Sequence, residues 1–382
     1  MPDAAANRVL IAGVSARAMA ESAARAGYDV TSLDAFGDLD RAAGVTALSV
    51  PRDFGVPFSA SAAARAARTL DCDAVAYLSP FENHASAVRQ LGTGRALWGN
   101  PPATLRRSRD PELIARLFDH TACPSPDDDS RWLIKPRSSG GGHGIRWWRP
   151  GEPVPRGSYV QRFVDGVPAS IVFVAARGRA RPLALTRQLV GDTSFGASGF
   201  RYCGSVLGAA NDVQLGPDDE LFAAACNIAD TAARELGLVG VNGIDFVARD
   251  GVATVVEINP RWSASMELVE RAFGVSLFAA HARACTSGDL PDFDLARRRV
   301  GIRAFGKAII FARHDVVCDD TESWLAHADI RDVPHPGEHI ARGRPVCTVF
   351  ADGIDAAACH AALVRRATAM YATLDRWAAV PA

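Results

Sequence analysis

The chain has 382 residues, of which 48% are hydrophobic and 22% charged, and its formal net charge is −1. This length allows two or three domains with sizeable cores, and the composition is typical of a globular protein. The near-zero charge argues against a dominant role in binding nucleic acid or a membrane surface. The eight cysteines form no C-x-x-C pair, and the first eight residues lack the apolar segment of a signal peptide. No apolar run approaches the roughly 18 residues that span a membrane, so a cytoplasmic protein with free thiols is expected.

The N-terminal part alternates strand-like and helix-like segments, which predicts a Rossmann-like domain over residues 1–100. The glycine fingerprint of dinucleotide-binding domains is incomplete, because it requires three glycines and residues 13–18 contain only one, Gly13. Bound dinucleotide is therefore not expected, although Asp34 lies where a ribose-binding acid would. The predicted segments are a strand at 8–13, a helix at 15–26, a strand at 28–33, a helix at 59–70, and strands at 74–78 and 96–99.

A polar stretch follows the strand at 74–78, at the edge where parallel strands usually face a ligand. It contains Ser79, Glu82, Asn83 and His84, although helix capping explains Ser79 and Asn83 equally well. Two prolines then break the alternation. A helix is predicted at 111–119 and a polar turn region at 123–130.

A lysine before a glycine-rich loop is the first motif that indicates chemistry. The chain has only two lysines, Lys135 and Lys307, so a lysine kept at this place suggests that a compact ammonium is needed. A strand presents Lys135, and Ser139, Gly140, Gly141, Gly142 and Gly144 follow before the next strand at 145–148. Glycines let backbone N–H groups approach a polyphosphate closely. The motif is not a Walker A loop, because the lysine precedes the glycines; the alternative is an ordinary glycine-rich hairpin loop.

The next segments could complete a nucleotide cleft and a substrate loop. The strand at 158–164 ends in Gln161, Arg162, Phe163 and Val164, whose backbone and apolar side chains suit an adenine ring. Further strands are predicted at 168–175 and 181–189, and Arg187 and Gln188 could point into the same cleft. Residues 196–204 are the candidate substrate loop, with Arg201 for a carboxylate and Tyr202 for an aromatic group or an amine. Surface pairing and packing explain these two residues equally well.

An acidic β-hairpin is the most informative stretch of the sequence. Strands at 243–248 and 253–258 flank Asp250 and Gly251, and Asp-Gly between apolar runs is a strong hairpin signal. Strand alternation places Glu257 and Asn259 on one face, where Asp245 can meet them across the turn. Two carboxylates and an amide oxygen form a hard-oxygen site of the kind Mg²⁺ prefers, and Arg261 follows. The alternative is a solvated strand face.

The C-terminal part is less informative about function. Helices are predicted at 267–272 and 276–286, a strand at 301–311, a small β-rich unit at 333–350 and a closing amphipathic helix at 356–379. Lys307 is expected at the surface rather than in the cleft.

The order of these motifs resembles the ATP-grasp superfamily, which includes D-alanine–D-alanine ligase and biotin carboxylase. The motifs are Lys-Pro before a glycine loop, Gln-x-Phe-Val-x-Gly, and Asp followed by Glu-x-Asn-Pro-Arg, and the resemblance covers about residues 1–290. It implies an α/β and α+β multidomain fold. Residues 1–100 would form the Rossmann-like domain and 101–290 an ATP-grasp domain of two α+β subdomains. Residues 291–382 would form a small β-rich extension with a terminal helix.

The resemblance also assigns roles to residues of this chain. Lys135 would contact ATP phosphates under the loop from Ser139 to Gly144, and Gln161, Arg162, Phe163 and Val164 would hold adenine. Asp245, Glu257 and Asn259 would bind Mg²⁺ or Mn²⁺. The predicted catalytic residues are Arg261, Lys135, Arg187 and Arg201, and the predicted substrate-binding residues are Gln188, Arg201 and Tyr202.

Two features depart from the family pattern. Family members carry a lysine just before a helix where this chain has Arg106, Arg107 and Arg109, and the sequence leaves open which arginine replaces it. The ribose-binding acid is also missing from residues 167–170, with Asp165 or Ser170 as substitutes.

The implied activity is ATP-dependent ligation of a carboxylate to an amine through an acyl phosphate. Small-molecule carboxylate and amine partners are expected, with no nucleic acid or membrane partner, and a homodimer is left open. A narrower resemblance, to a branch similar to tyramine–glutamate ligase of methanofuran synthesis, rests on residues 187–188, 199–204 and 259–267. It places the activity in one-carbon cofactor biosynthesis. The alternatives are an ATP-grasp kinase or carboxylase, or a non-catalytic nucleotide-binding module.

Overall fold

The computed structural model describes residues 7–118, 130–208, 212, 215 and 219–377. The N-terminal part is a parallel five-stranded sheet in the order β3-β2-β1-β4-β5, with helices before β2, β4 and β5, in agreement with the predicted strand–helix alternation. The strand β3 and the short helix after it, each of five residues, were not predicted. The elements are β1 (Arg8–Ala12), α1 (Arg17–Arg25), β2 (Asp29–Asp34), β3 (Val45–Ser49), α2 (Val50–Phe54), α3 (Ala60–Ala66), β4 (Ala74–Tyr77), α4 (Ala85–Leu91) and β5 (Ala96–Trp98).

Two short helices lead into a small antiparallel sheet in the order β7-β6-β8. Here the apolar strand that carries Lys135 pairs with the strand that ends at Arg162. Of the polar region predicted at 123–130, only Ser130 is among the described residues, and the helix predicted to reach 119 ends at Leu117. The elements are α5 (Pro102–Ser108), α6 (Pro111–Leu117), β6 (Trp132–Pro136), β7 (Arg146–Trp147) and β8 (Ser158–Arg162).

A large antiparallel sheet of eight strands forms the rest of the frame, in the order β13-β12-β9-β10-β11-β14-β18-β16. In chain order α7, a long helix that was not predicted, lies between β11 and β12. The elements are β9 (Val167–Ala176), β10 (Arg179–Val190), β11 (Tyr202–Leu207), α7 (Asp219–Leu236), β12 (Gly240–Arg249), β13 (Val252–Asn259), α8 (Met266–Phe273), α9 (Leu277–Thr286), α10 (Leu295–Arg298), β14 (Ala304–Phe311), β15 (Val316–Val317), β16 (Ile330–Arg331), β17 (His339–Ile340), β18 (Pro345–Gly353) and α11 (Ala356–Leu374).

Alternation along the strands gives the large sheet two different faces. One face is apolar and packs against α7 and α11, with Ile171 and Phe173 under α7 and Ala308 and Ile310 near α11. Each large apolar side chain buried in this way contributes about 1.5–3 kcal/mol. The opposite face packs against α8, α9 and the N-terminal domain, and it carries the polar residues of the site.

The hairpin that carries the acidic residues has the predicted turn. Asp250 and Gly251 both have positive φ, at 50° and 77°, as a type I′ turn requires. β12 and β13 are longer than predicted, and a bulge follows Asp245.

The segment after residue 290 continues this sheet, because β14, β18 and β16 pair beside β11. The domain boundaries at 100 and 290 stay predictions. Within the described ranges, no helix combines the length and apolar character needed to cross a membrane. The seven cysteines in those ranges are free thiols.

Candidate active site

A cavity of about 590 Å³ lies between the N-terminal domain, the small sheet and the polar face of the large sheet. A second cavity, of about 640 Å³, lies behind β8 and opens next to α5 and α6. The two share Gln161, Arg162, Phe163, Val164, Val256 and Glu257. These shared residues place the predicted adenine segment beside the acidic hairpin.

The acidic hairpin brings Asp245, Glu257 and Asn259 together, as predicted. Asp245 lies opposite Glu257 in the sheet register, and Asn259 Nδ2 donates to Asp245 Oδ2 at 2.9 Å. Burial raises the pKa of Asp245 to about 6, the charge of Glu257 adds to this, and hydrogen bonds from Ser170, Gln188 and Asn259 oppose it. Two carboxylates held this close repel each other, so the pair favours a cation between them.

Three cationic side chains surround these carboxylates. Lys135 Nζ donates to Gln161 Oε1 at 2.9 Å and to the Val256 carbonyl at 3.3 Å. Arg261 Nη2 donates to Asn259 Oδ1 at 3.0 Å and pairs with Glu82 Oε1 of the N-terminal domain at 2.8 Å.

The third cation is Arg109, which forms an ion pair with Glu257. Burial disfavours the charged form of Glu257, but the charges of Arg109, Lys135 and Arg261 outweigh it and lower the pKa of that carboxyl. Arg109 also donates to the Ser139 carbonyl at 3.3 Å.

Of the three arginines Arg106, Arg107 and Arg109, it is Arg109 that reaches the acidic hairpin. Arg107, by contrast, donates to the Glu235 carbonyl on the protein surface, and Arg106 is exposed. The signal for Arg109 was its position directly before Asp110, which caps α6. Sequence alone could not separate the three arginines, because the direction of each side chain depends on where α5 ends.

The glycine-rich loop lies directly on the segment before β11. Tyr202 N donates to the Gly141 carbonyl at 3.0 Å, and a Cβ on Gly142 would lie 1.8 Å from the Phe200 carbonyl oxygen. Gly142 also has φ +76°, which favours glycine. Only a glycine at this position lets the loop approach the neighbouring backbone so closely.

An aromatic cluster closes the same side of the cavity. The rings of Phe163 and Trp147 are 4.8 Å apart, and Phe200 lies 5.5 Å from Trp147 and 6.4 Å from Phe163. Phe163, Val164 and Phe200 line the cavity. The cluster thus joins the small sheet to the segment that precedes β11.

The predicted substrate-binding residues and the predicted catalytic residue Arg187 separate into two groups. Gln188 and Tyr202 line the cavity, and the Tyr202 hydroxyl lies 2.8 Å from Ser205 Oγ. Arg187 does not line it: strand alternation turns this side chain to the opposite face of the sheet, where Nε lies 3.8 Å from Asp212 Oδ2. Arg201 also points away, because Nη1 donates to the Gly343 carbonyl at 2.7 Å and the guanidinium packs on Phe311. The geometry therefore does not support catalytic roles for these two arginines.

Lys307 is placed differently from the prediction. It is 4% exposed rather than at the surface, it lines the cavity, and Nζ lies 2.7 Å from Glu267 Oε2. The alternation of β14 turns it to the polar face, and the ion pair with Glu267 makes its burial tolerable.

The family model described as an ATP-grasp domain matches residues 113–265. The chain contains an ATP-grasp domain. The matched segment includes Lys135, the glycine loop and the whole acidic hairpin, and the mixed parallel and antiparallel architecture agrees with the ATP-grasp fold predicted from the sequence. No curated protein sequence matches the chain significantly.

Solved structures share the fold of this chain over nearly its whole length. An L-amino acid ligase from Bacillus licheniformis is 16% identical with a TM-score of 0.64, covering 95% of this chain and 98% of the other. An ADP complex of N5-carboxyaminoimidazole ribonucleotide synthetase is 17% identical with a TM-score of 0.65, covering 97% and 98%. The biotin carboxylase domain of Hydrogenobacter thermophilus 2-oxoglutarate carboxylase, with MgADP, is 13% identical with a TM-score of 0.65, covering 91% and 86%. At these identities the likeness is one of fold.

Any metal at the site would have a limited set of protein ligands. Within the described residues, no group of three or more His, Cys, Asp or Glu side chains is arranged to hold a metal ion. The acidic hairpin offers two carboxylates and the amide of Asn259. This set fits a hard divalent cation that takes its remaining oxygen ligands from a bound phosphate and water.

Proposed function

We propose that this protein is an ATP-dependent ligase that activates a substrate carboxylate as an acyl phosphate and joins it to an amine, releasing ADP and phosphate. One observation carries the proposal: Lys135 and Arg261 converge with the acidic hairpin in a cavity that Gly141 and Gly142 also line, and Arg109 pairs with Glu257 from the adjoining cavity. Cations above a carboxylate pair suit a polyphosphate that arrives with a divalent metal.

The nucleotide would lie between the small sheet and β13. The segment from Gln161 to Val164 would contact adenine, and Lys135, Arg109 and the glycine loop would contact the phosphates. Asp245, Glu257 and Asn259 would hold Mg²⁺, and this fit is supported by their geometry, since Asp245 lies opposite Glu257 in the sheet and contacts Asn259. When bound, the metal neutralises negative charge on the phosphate oxygens.

The chemistry follows in two balanced steps. A carboxylate oxygen of the substrate attacks the γ-phosphorus of ATP, the bond to ADP breaks, and an acyl phosphate forms. The amine nitrogen then attacks the acyl carbon, phosphate leaves with the C–O electron pair, and the amine loses a proton. Arg261, fixed by Glu82 and Asn259, would offset the charge on the transferring phosphoryl group. The other residues position and neutralise rather than react, since phosphoryl transfer needs no covalent group on the protein.

Three finer predictions extend this proposal. Glutamate and tyramine are the substrates that the narrower sequence resemblance indicates, with a role in methanofuran-linked cofactor synthesis. A cytoplasmic location and Mn²⁺ as a substitute for Mg²⁺ also stay predictions.

A coupled assay of ADP release tests the activity. Purified protein with MgATP is given single carboxylates together with hydroxylamine, which traps acyl phosphates as hydroxamates, and then carboxylates paired with amines, glutamate with tyramine among them. Hydroxamate formation and amine-dependent ADP release are expected. ADP release with bicarbonate alone would indicate a carboxylase instead, and stable phosphorylation without amide formation a kinase.

Glu257→Gln tests the metal assignment. This variant removes one carboxylate charge, so we expect a loss of about 100-fold or more in turnover and a higher requirement for Mg²⁺. Glu235→Gln, at an exposed position of α7, is the matched control. Intact Mg²⁺-dependent turnover in Glu257→Gln would show that the assignment is wrong.

A further inference from the structure

The cavity extends beyond the phosphate end to a second wall that the proposed mechanism does not use. This wall is formed by the start of α1, the segment from Ser263 to Ser265, β14 and the residues around Asp332. We call it the distal wall, defined by Arg17, Glu267, Lys307 and Asp332. Its lysine is one of only two in the chain, and the other, Lys135, lies at the phosphate end. Both lysines of a chain that otherwise uses arginine therefore line the same cavity.

Strand pairing places Lys307 in a polar row on the cavity face of the large sheet. Gln188 of β10 lies opposite Ser205 of β11, and Ser205 lies opposite Lys307 of β14. All three residues line the cavity. Neighbouring strands are about 4.8 Å apart, so the Cα atoms of Gln188 and Lys307 are separated by roughly 10 Å. Because Gln188 also forms a hydrogen bond with Asp245, the polar row connects the acidic hairpin to the distal wall.

Tyr202 lies beside the polar row. Its hydroxyl is 2.8 Å from Ser205 Oγ, and with Tyr202 as the donor the Ser205 hydroxyl is free to donate to a ligand. Burial raises the pKa of the Tyr202 hydroxyl, and the charges of Asp245 and Glu267 add to the rise. A side chain that is influenced by carboxylates of both ends is close to each of them. A small molecule at the phosphate end can therefore also contact the polar row.

Most polar groups of the distal wall are engaged by one another. Arg17 Nε lies 2.7 Å from Asp332 Oδ1, and its Nη2 lies 3.1 Å from Glu267 Oε1. Thr348 Oγ1 donates to the other oxygen of Asp332. Arg17 and Asp332 are therefore held within the wall.

Lys307 differs from these groups, because an ammonium has three N–H donors. Its Nζ lies 2.7 Å from Glu267 Oε2, and among the residues that the structure describes Glu267 is its only hydrogen-bond acceptor. The side chain is 5% exposed, and the Phe350 ring centroid lies 5.2 Å from Nζ. A buried ammonium favours further oxygen acceptors, and a molecule in the cavity can supply one.

A carboxylate substrate needs a cation that the phosphates do not use. Arg187 and Arg201, which the sequence indicated for this role, face away from the cavity. Lys135 and Arg261 lie at the phosphate end. Lys307 lines the cavity and has donors to spare, so it can take this role.

We propose that Lys307 and Ser205 bind one oxygen of the reacting carboxylate, the oxygen that does not attack ATP. The other oxygen attacks the γ-phosphorus, and the bound oxygen becomes the carbonyl oxygen of the acyl phosphate. When the amine nitrogen attacks the acyl carbon, the C=O electron pair moves onto the bound oxygen, to which Lys307 N–H and Ser205 O–H donate. The carbonyl then re-forms as phosphate leaves. This proposal rests on the ligase activity proposed above and adds the residues that bind the acyl group.

Lys307→Met tests this role, because methionine keeps an unbranched side chain but lacks the charge and the donors. With MgATP, hydroxylamine and a carboxylate that the wild type activates, we expect kcat for hydroxamate formation to fall 100-fold or more. The KM for ATP should change less than twofold. A purely structural role would instead change ATP affinity together with kcat, or leave kcat intact.

Ser205→Ala is a smaller change at a fully buried position, and it removes one neutral donor. We expect kcat to fall about tenfold with the KM for ATP unchanged. If Lys307→Met does not fold, this variant decides, and an unchanged kcat in it would overturn the proposal.

Arg303→Met is the matched control, since Arg303 directly precedes β14, is exposed and pairs with Asp352. It also exchanges a cation for methionine, and it should leave kcat and the KM for ATP as in the wild type. An unchanged kcat in folded Lys307→Met, or equal losses in Lys307→Met and Arg303→Met, would show that Lys307 does not bind the acyl oxygen.

A binding measurement separates this proposal from the ligase activity. Thermal unfolding is measured with a non-hydrolysable ATP analogue and Mg²⁺, and then with acetate, succinate, glutarate, glutamate or benzoate added in turn. We expect at least one carboxylate to stabilise the wild type and Arg303→Met further but not Lys307→Met, although the analogue stabilises all three.

The outcomes of the two experiments distinguish the two proposals. Carboxylate binding that depends on Lys307, without any hydroxamate formed by the wild type, would refute the ligase activity and leave the carboxylate site standing. Hydroxamate formation by the wild type with equal carboxylate stabilisation in Lys307→Met would refute the site alone. If no carboxylate stabilises the wild type, the site is refuted as well.

Discussion

The two ends of the cavity differ in how their residues are distributed along the chain. The phosphate end is built from short motifs: Lys135 with the loop that follows it, and Asp245 with Glu257, Asn259 and Arg261 on one hairpin. The distal wall takes Arg17, Glu267, Lys307 and Asp332 from four separate segments. The first end can be recognised from sequence because spacing within a hairpin or a loop fixes which side chains meet. The second exists only when the N-terminal domain, α8 and the last strands pack together.

The largest effect is expected at the distal wall from Glu267→Gln. Glu267 lies between Arg17 and Lys307, and burial opposes its ionisation, but these two charges outweigh burial and hold its pKa well below the usual range. Removing the shared carboxylate leaves two buried cations with less compensation. A loss of about 3–5 kcal/mol in the free energy of unfolding follows from breaking such a network. Urea unfolding at pH 7 measures it.

The pH dependence of this loss checks its electrostatic origin. A carboxyl group whose pKa is lowered by folding stabilises the protein above its unfolded value, 4.5, and this contribution is lost as the pH falls further. The stability difference between the wild type and Glu267→Gln should therefore be constant above pH 4.5 and shrink below it. Glu152→Gln, which breaks an exposed ion pair, serves as the control. A difference that stays constant into acid would point to packing instead of charge.

A smaller effect is expected at the phosphate end from Arg109→Ala. The guanidinium pairs with Glu257 and lies next to the glycine loop, so its loss removes one charge from the phosphates. A charged hydrogen bond is worth about 1.5–3 kcal/mol, which corresponds to roughly a 10- to 100-fold rise in the KM for ATP. Kinetic titration of ATP measures it.

Arg107→Ala is the matched control, since this neighbour is exposed and donates to the Glu235 carbonyl. Arg109→Lys should recover part of the affinity, because an ammonium restores the positive charge. If Arg109→Ala and Arg107→Ala change the KM for ATP equally, Arg109 does not bind the phosphates.

More of the fold than of the site could be predicted from the sequence. Apolar alternation and the Asp-Gly turn were sufficient for β12 and β13, and strand–helix alternation for the N-terminal sheet. No element was predicted where α7 lies, between the substrate loop and the hairpin, although this helix has 18 residues.

Within the site, the errors come from side-chain direction. Arg187 and Gln188 are neighbours in sequence, yet only Gln188 faces the cavity, and which of the two does so depends on strand pairing across the sheet. Arg201 was misplaced because its partner, the Gly343 carbonyl, lies 142 residues away. Lys307 was expected at the surface because its partner Glu267 lies on a different element. Such contacts are set by tertiary packing, which local patterns do not encode.

The smallest effect concerns the glycine loop, where the two ends meet. In Gly142→Ala the added Cβ would overlap the Phe200 carbonyl, and the positive φ adds strain, so the loop must move away from the segment before β11. Positive φ alone costs an alanine about 1–2 kcal/mol, so we expect roughly a tenfold rise in the KM for ATP. Gly141→Ala is the control, because Gly141 also has positive φ but has open space around its Cβ position. Since Tyr202 N donates to the Gly141 carbonyl, a displaced loop should also disturb Tyr202 and raise the KM of the carboxylate substrate. If Gly142→Ala changes only the KM for ATP, the two ends of the cavity act independently; if it matches Gly141→Ala throughout, the contact with Phe200 has no functional role.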